Sequence, residues 1–139
     1  MSISGRCLCG SVHYRTEAAP ILQFNCHCRD CQRSTGAGFA PIMFFIKADL
    51  VVEGTLSHFD SLAASGNSLR RSFCPTCGAQ VLGAPAAAST LISIRAGTLD
   101  DPSQFTPMAD IFCAQATPWS CMNPHIAKFP EMLPTPKQR

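Results

Sequence analysis

Seven of the nine cysteines in this 139-residue sequence fall into three short groups, and the central group puts three thiols within six residues. In an extended segment, Cys26 and Cys28 point to one side because side chains alternate, and His27 points to the other. Residues 29–30 leave room for a turn that brings Cys31 back beside them. Three thiolates arranged in this way can bind one soft metal ion, and thiolate ligands favour zinc.

The other two groups are pairs, Cys7 with Cys9 near the start of the chain and Cys74 with Cys77 in its middle. The second pair forms a Cys-Pro-Thr-Cys-Gly segment, which is typical of a zinc knuckle. Joining the two pairs keeps every group intact and gives a four-thiolate structural site, which contributes on the order of 10 kcal/mol to folding. The central group then remains as a three-thiolate site with an open position, as in catalytic zinc centres.

Two other divisions of the thiols are open from the residues alone. In one, the Cys74–Cys77 knuckle binds zinc with two thiols of the central group, which leaves the first pair and one central thiol without a metal. In the other, the central group forms a second closed structural site. The candidate fourth ligands are then His13, His27, His58, Cys113 and Cys121. His27 fits poorly because it points away from its neighbours, and isolated cysteines are often small buried hydrophobic residues.

Polar and aromatic residues near the central group are weaker candidates for substrate contacts. Arg33 could bind a substrate carboxylate through two parallel hydrogen bonds, although a solvated surface arginine is the more common role. Phe39 and Trp119 could line a pocket, but aromatic residues in a protein of this size usually belong to the core.

Short strands and turns must position these groups. The predicted strands span residues 11–17, 40–46, 69–73, 91–95 and 107–113. A short helix is predicted over residues 30–34, with Gly36 as its stop. Residues 50–53 and 56–59 are predicted as a hairpin that turns at Gly54. The proline-rich segment from Ala114 is predicted to be a tail that lies over the domain, with disorder in residues 134–139.

Composition limits the class of protein. The length predicts a single domain over residues 1–139 with its core within residues 3–133. A formal net charge of +2, with no basic cluster beyond Arg70 and Arg71, argues against nucleic acid as a partner. No apolar run is long enough to span a membrane. The first residues contain no signal-peptide pattern, so we expect a cytoplasmic protein, in which cysteines are more often metal ligands than disulfides.

Five motifs together resemble one known family. They are Cys-x-Cys-Gly at residues 7–10, the central cysteines followed by Arg33-Ser34-Thr35-Gly36, Phe-Cys-Pro-x-Cys-Gly at residues 73–78, the Arg-x-Gly-Thr-Leu-Asp stretch at residues 95–100 and Pro118-Trp119. The sequence resembles the glutathione-dependent formaldehyde-activating enzyme family over residues 3–133. The vertebrate centromere protein V belongs to the same family.

The resemblance implies a fold, a division of thiols and a reaction. The implied fold is mainly β, a β-tent of small coiled antiparallel sheets around a structural zinc, with one or two short helices. The implied division is a structural zinc at Cys7, Cys9, Cys74 and Cys77 and a catalytic zinc at Cys26, Cys28 and Cys31. Glutathione and formaldehyde would combine to S-hydroxymethylglutathione, formally carbon–sulfur lyase chemistry. Glutathione would be the co-substrate, with contacts at Arg33 and Ser34.

Three functions follow as hypotheses. The first is a zinc-dependent carbon–sulfur lyase acting on a small-molecule thiol–aldehyde adduct, as a monomer or homodimer. The second is a non-catalytic module in which zinc shapes a surface for another protein. The third is a thiol or metal sensor that uses an exposed low-pKa group of three cysteines.

Overall fold

The computed structural model describes residues 2–63 and 66–134, and these residues confirm the predicted mainly β architecture. The first strands are β1 (Ile3–Arg6), β2 (His13–Thr16), β3 (Leu22–Cys26), β4 (Ala40–Ile46), β5 (Val51–Glu53) and β6 (Ser57–Leu62). The later strands are β7 (Ser68–Phe73), β8 (Gln80–Pro85), β9 (Leu91–Arg95), β10 (Ala109–Ile111) and β11 (Ala127–Lys128). The helix α1 (Arg29–Thr35) is the only α-helix in the described part of the chain.

The strands form two sheets. The smaller has the order β1-β2-β5, and the larger has the order β11-β10-β3-β4-β9-β8-β7-β6. Neighbouring strands are antiparallel except where β10 lies parallel to both β3 and β11. This departs from the expected all-antiparallel sheets, and it is possible because a long connection separates β10 from β3 along the chain.

The larger sheet has two chemically different faces, because side chains alternate along each strand. Met43 and Phe45 of β4 and Ile94 of β9 point into the main core and are fully buried. Ile42 of β4 and its cross-strand partner Arg95 of β9 point to the opposite face. The sheet therefore separates the main core from the cavity described below.

The smaller sheet covers the far side of the main core. Tyr14 of β2 is buried there, and its hydroxyl group lies 2.8 Å from Oγ1 of Thr98. Gly5 pairs with Tyr14 across the sheet, and a side chain on Gly5 would collide with the Tyr14 ring. Burial raises the pKa of Tyr14 to about 12.

The helix and two strands lie where the sequence predicts them. The strands at residues 40–46 and 91–95 have the predicted bounds. Helix α1 begins one residue earlier and ends one residue later than predicted, and Gly36 terminates it with a φ of +72°. This left-handed conformation favours glycine.

The predicted hairpin at residues 50–59 is wrong. β5 pairs with β2 in the smaller sheet, whereas β6 pairs with β7 at the edge of the larger one. Gly54 has a φ of +102°, and the backbone of Ser11 lies so close that no side chain would fit. The glycine is thus required by a close approach of two chain segments rather than by a hairpin turn.

The segment after Cys113 contributes β11 to the edge of the larger sheet. No helix in the described residues is long and apolar enough to cross a membrane. Disorder is predicted for residues 134–139. Apart from Pro134, these residues lie outside the described ranges. The single-domain organisation stays a prediction.

Candidate metal centres and the adjoining cavity

The structure brings the two outer cysteine pairs together. The sulfur atoms of Cys7, Cys9, Cys74 and Cys77 all lie within 4.8 Å of one another. Sγ of Cys9 lies 3.6 Å from Sγ of Cys7 and 3.7 Å from Sγ of Cys74. All four are free thiols. The group joins the turn after β1 to the turn between β7 and β8.

Backbone amides and glycines shape this four-thiol group. The amide of Val12 donates to Sγ of Cys7 at 3.3 Å, which favours a thiolate. The amide of Gly78 donates to the carbonyl of Cys74 at 2.8 Å and closes the knuckle turn. Gly78 has a φ of +75°, which only glycine adopts at low cost. Four sulfurs in such turns match the donor set of a structural zinc site.

The central cysteines form a second group at the junction of β3 and α1. Cys26 ends β3, Cys28 is the N-cap of α1, and Cys31 lies in the first turn of the helix. Their sulfur atoms lie within 4.8 Å of one another, and the residues are only 5%, 8% and 4% exposed. The amide of Cys31 donates to Sγ of Cys28 at 3.3 Å. Within residues 2–63 and 66–134, no further histidine, cysteine or carboxylate joins this group.

Charge within the central group concentrates on one sulfur. Hydrogen bonds from the thiols of Cys26 and Cys31 lower the pKa of Cys28 to about 2, and the positive charge of Arg71 acts in the same direction. The hydrogen bond to Cys28 also raises the pKa of Cys26 far above its usual value. The group thus favours a thiolate, the protonation state that binds zinc.

His27 faces away from the central thiols, as the sequence predicts. Its Nε2 lies 2.8 Å from Oδ1 of Asp110, and both side chains are buried. Its ring packs against Phe39 at a centroid distance of 5.3 Å. Among the other candidates for a fourth ligand, Cys113 donates its S–H to the carbonyl of Asp110, and Cys121 is exposed. Within the described residues, the ligand atoms of these candidates do not belong to the cluster that the three central sulfur atoms form.

A cavity of about 530 Å³ adjoins the central thiols. All three of these cysteines line it, together with apolar side chains from the outer face of the larger sheet. These apolar residues include Leu22 and Phe24 of β3 and Ile42 and Phe44 of β4. A small molecule in this cavity would therefore reach the sulfur atoms from one side.

The structure places Arg33 and Ser34 outside this cavity. Both line a neighbouring cavity of about 360 Å³. Arg33 is exposed. The hydroxyl group of Ser34 donates to the carbonyl of Cys31 at 3.2 Å, and its own carbonyl accepts a hydrogen bond from Gln80. Their predicted contact with glutathione stays a prediction.

Sequence reasoning missed two arginines of the large cavity. Arg71 of β7 and Arg95 of β9 both line it and are almost fully buried. Burial lowers the pKa of Arg95. The signal was the pattern of β9, where Ser93 and Arg95 occupy alternate positions of an otherwise apolar strand. The same pattern is expected for a strand face in contact with solvent. The sequence alone therefore did not show whether these polar side chains are buried or exposed.

A family model described as "Glutathione-dependent formaldehyde-activating enzyme" matches residues 2–115. The crystal structure of a Rhodobacter sphaeroides protein is similar with a TM-score of 0.58 and 19% sequence identity, covering 91% of this chain and 98% of that chain. At this identity the likeness supports the fold alone. No curated protein matched the sequence.

The family match includes the five cysteines nearest the start of the chain and the Cys74–Cys77 knuckle, and it extends over most of the chain. The protein belongs to the glutathione-dependent formaldehyde-activating enzyme family.

Proposed function

We propose that this protein is a zinc-dependent carbon–sulfur lyase that acts on a thiol–aldehyde adduct of the S-hydroxymethylglutathione type. Membership of the family suggests formaldehyde activation. The observation that carries the proposal is the geometry of Cys26, Cys28 and Cys31. These three buried thiols border a cavity, and the described residues offer them no fourth protein ligand.

The two cysteine groups have different roles in this proposal. Cys7, Cys9, Cys74 and Cys77 hold a structural zinc that links distant parts of the chain. Cys26, Cys28 and Cys31 hold a second zinc from one flank. Zinc bound there would supply a Lewis acid for the aldehyde oxygen or a binding position for the substrate thiolate.

The chain's own residues prepare the site for a small molecule. The apolar wall formed by Phe24, Ile42 and Phe44 lowers the polarity of the surroundings of the sulfurs, which strengthens electrostatic interactions there. Glutathione is a possible co-substrate, with Arg33 and Ser34 as proposed contacts. The proposal also includes a cytoplasmic location and a monomeric or homodimeric state.

Two observations count against the alternatives. An interaction module would use the second zinc as a closed structural site, and the described residues provide only three ligands for it. A thiol sensor that forms mixed disulfides with other proteins needs sulfur atoms at the protein surface, whereas the three central cysteines are buried behind a cavity of small-molecule size.

Zinc content and catalysis of adduct formation test the proposal together. We expect two zinc ions per chain by mass spectrometry of the metal content. Exchange NMR of glutathione and formaldehyde should show faster adduct formation with the protein than without it. Cys28→Ser should abolish this acceleration while the protein stays folded, because serine is also a good N-cap.

Cys121→Ser is the matched control, because Cys121 is an exposed, isolated cysteine, and it should keep full activity. The proposal fails if the protein with both zinc ions bound gives no acceleration. It fails equally if Cys28→Ser and Cys121→Ser accelerate the reaction to the same extent.

A further inference from the structure

Arg71 and Arg95 are buried arginines that form no ion pair with a carboxylate of residues 2–63 and 66–134. They are only 6% and 5% exposed. The ion pairs found in the described parts of the chain involve Arg70, Lys128 and two histidines, and neither buried arginine takes part in one. A buried, unpaired charge is costly, so the guanidinium groups need a counterion.

Neutral groups hold both side chains in place. Nη1 of Arg71 donates to Oγ of Ser61 at 2.9 Å, and Nη1 of Arg95 donates to Oγ of Ser93 at 3.2 Å. The hydroxyl group of Ser93 in turn donates to the carbonyl of Gly83 at 3.1 Å. Nε of each arginine is buried and has no hydrogen-bond acceptor in the described part of the chain. Each arginine is thus positioned but keeps an unused donor.

Strand register places the two arginines on the cavity side of the sheet. Arg71 of β7, Gly83 of β8 and Ser93 of β9 lie side by side across three neighbouring strands. Arg95 lies two residues beyond Ser93 and so shares its face. A Cβ atom on Gly83 would lie 3.0 Å from Nη1 of Arg95, so the glycine leaves room for the guanidinium group.

The central thiolates neutralise only part of the positive charge that Arg71 and Arg95 carry. Three thiolates with one zinc ion carry a net charge of minus one, whereas the two guanidinium groups carry plus two. Asp30 also borders the cavity, but it is only partly buried, and the ion pairs of the described residues include none between Asp30 and either arginine. One positive charge therefore remains for a ligand in the interior of the cavity.

We propose that Arg71 and Arg95 bind the carboxylate of a substrate whose remaining part is apolar. The planar guanidinium group matches a carboxylate through parallel hydrogen bonds. The rest of the ligand would pack against Phe24, Ile42 and Phe44, which line the same cavity. The inference rests on the proposed function in one respect, namely that the bound acid is part of the thiol or aldehyde substrate, and it favours an acid with an apolar remainder over glutathione, whose peptide groups are polar.

Hexanoate and its neutral amide, hexanamide, test the carboxylate site by calorimetry on the zinc-loaded protein. Hexanoate should bind at least tenfold more tightly than hexanamide, because only its charge differs. Arg71→Met and Arg95→Met should each weaken hexanoate binding about tenfold or more, as expected for the loss of a charge-assisted hydrogen bond. The matched control is Arg70→Met, since Arg70 is exposed and already paired with Asp60, and its affinity should be unchanged.

NMR of the arginine Nε–H groups in the wild-type protein gives a readout that does not depend on the folding of a variant. Hexanoate should shift two of these resonances, and hexanamide should shift neither. Equal affinity for the two probes would overturn the inference. Unchanged hexanoate binding in Arg71→Met and Arg95→Met, with loss of zinc instead, would also overturn it and would show that the arginines only balance the thiolates.

Binding of hexanoate involves no adduct chemistry, so the two proposals can fail separately. If hexanoate binds as expected but adduct formation is not accelerated, only the proposed reaction is lost. If the adduct forms faster but hexanoate does not bind, only the carboxylate site is lost.

Discussion

Cys77→Ser should destabilise the whole protein, whereas Cys28→Ser should not. Cys77 belongs to the four-thiol group, which joins two turns from distant parts of the chain. Cys9 and Cys74, whose sulfurs lie 3.7 Å apart in this group, are separated by 65 residues in sequence. A zinc ion bound to these four sulfurs would cross-link the turn after β1 in the smaller sheet to the turn between β7 and β8 in the larger sheet.

The magnitude follows from the length of the closed loop. A cross-link over 65 residues removes about 4 kcal/mol of chain entropy from the unfolded state, by the relation used for covalent cross-links. Typical domains are stable by only about 5–15 kcal/mol. A loss of ~4 kcal/mol lowers the melting temperature of a protein of this length by ~14 °C. This is the loss for a variant that has released its zinc from the four-thiol group, so the zinc content of the variant decides whether it applies.

Thermal unfolding followed by circular dichroism, with zinc content measured on the same samples, checks this expectation. Cys77→Ser should melt at least ~14 °C below the wild type. Cys28→Ser should melt within about 3 °C of it, because serine preserves the helix N-cap at this position. If the Cys77→Ser protein melted together with the wild type, a structural role for the four-thiol group would be refuted.

Two further predictions concern glycine and tyrosine. Gly83→Ala should cost about 1–3 kcal/mol in urea denaturation, because the new methyl group would crowd Ser93 and Arg95. Gly97→Ala is its control, since open space surrounds Gly97, and equal losses would contradict the crowding argument. Burial raises the pKa of Tyr14 to about 12, so its contribution to stability is complete below pH ~10 and is lost between pH ~10 and ~12. Denaturation at several alkaline pH values should show a loss of about 3 kcal/mol in the wild type that Tyr14→Phe lacks, and identical pH profiles would contradict it.

The grouping of the thiols was predictable because it depends on local spacing. Cys74 and Cys77 lie in one tight turn, and Cys26, Cys28 and Cys31 lie at one strand–helix junction. The helix stop at Gly36 was equally local, since it depends on the conformation of a single residue. Which pair shares a site with which was predicted by keeping each group intact and by the family resemblance, and the structure brings together the pairs so predicted.

Features set by distant parts of the chain could not be predicted in the same way. Val51–Glu53 pairs with β2 rather than with the next strand, and Gly54 packs against Ser11, which is far away in sequence. The burial of Arg71 and Arg95 likewise depends on the register of β7, β8 and β9. Alternation along one strand shows that two faces differ, but not which face meets solvent.

The two-sided larger sheet has an evolutionary consequence. Successive residues of β4 and β9 belong alternately to the main core and to the cavity wall. Mutations at every second position can therefore alter which ligands are accepted while the intervening residues preserve folding. Paralogues built on this sheet can diverge in selectivity by changing the cavity-facing residues and still retain the same backbone.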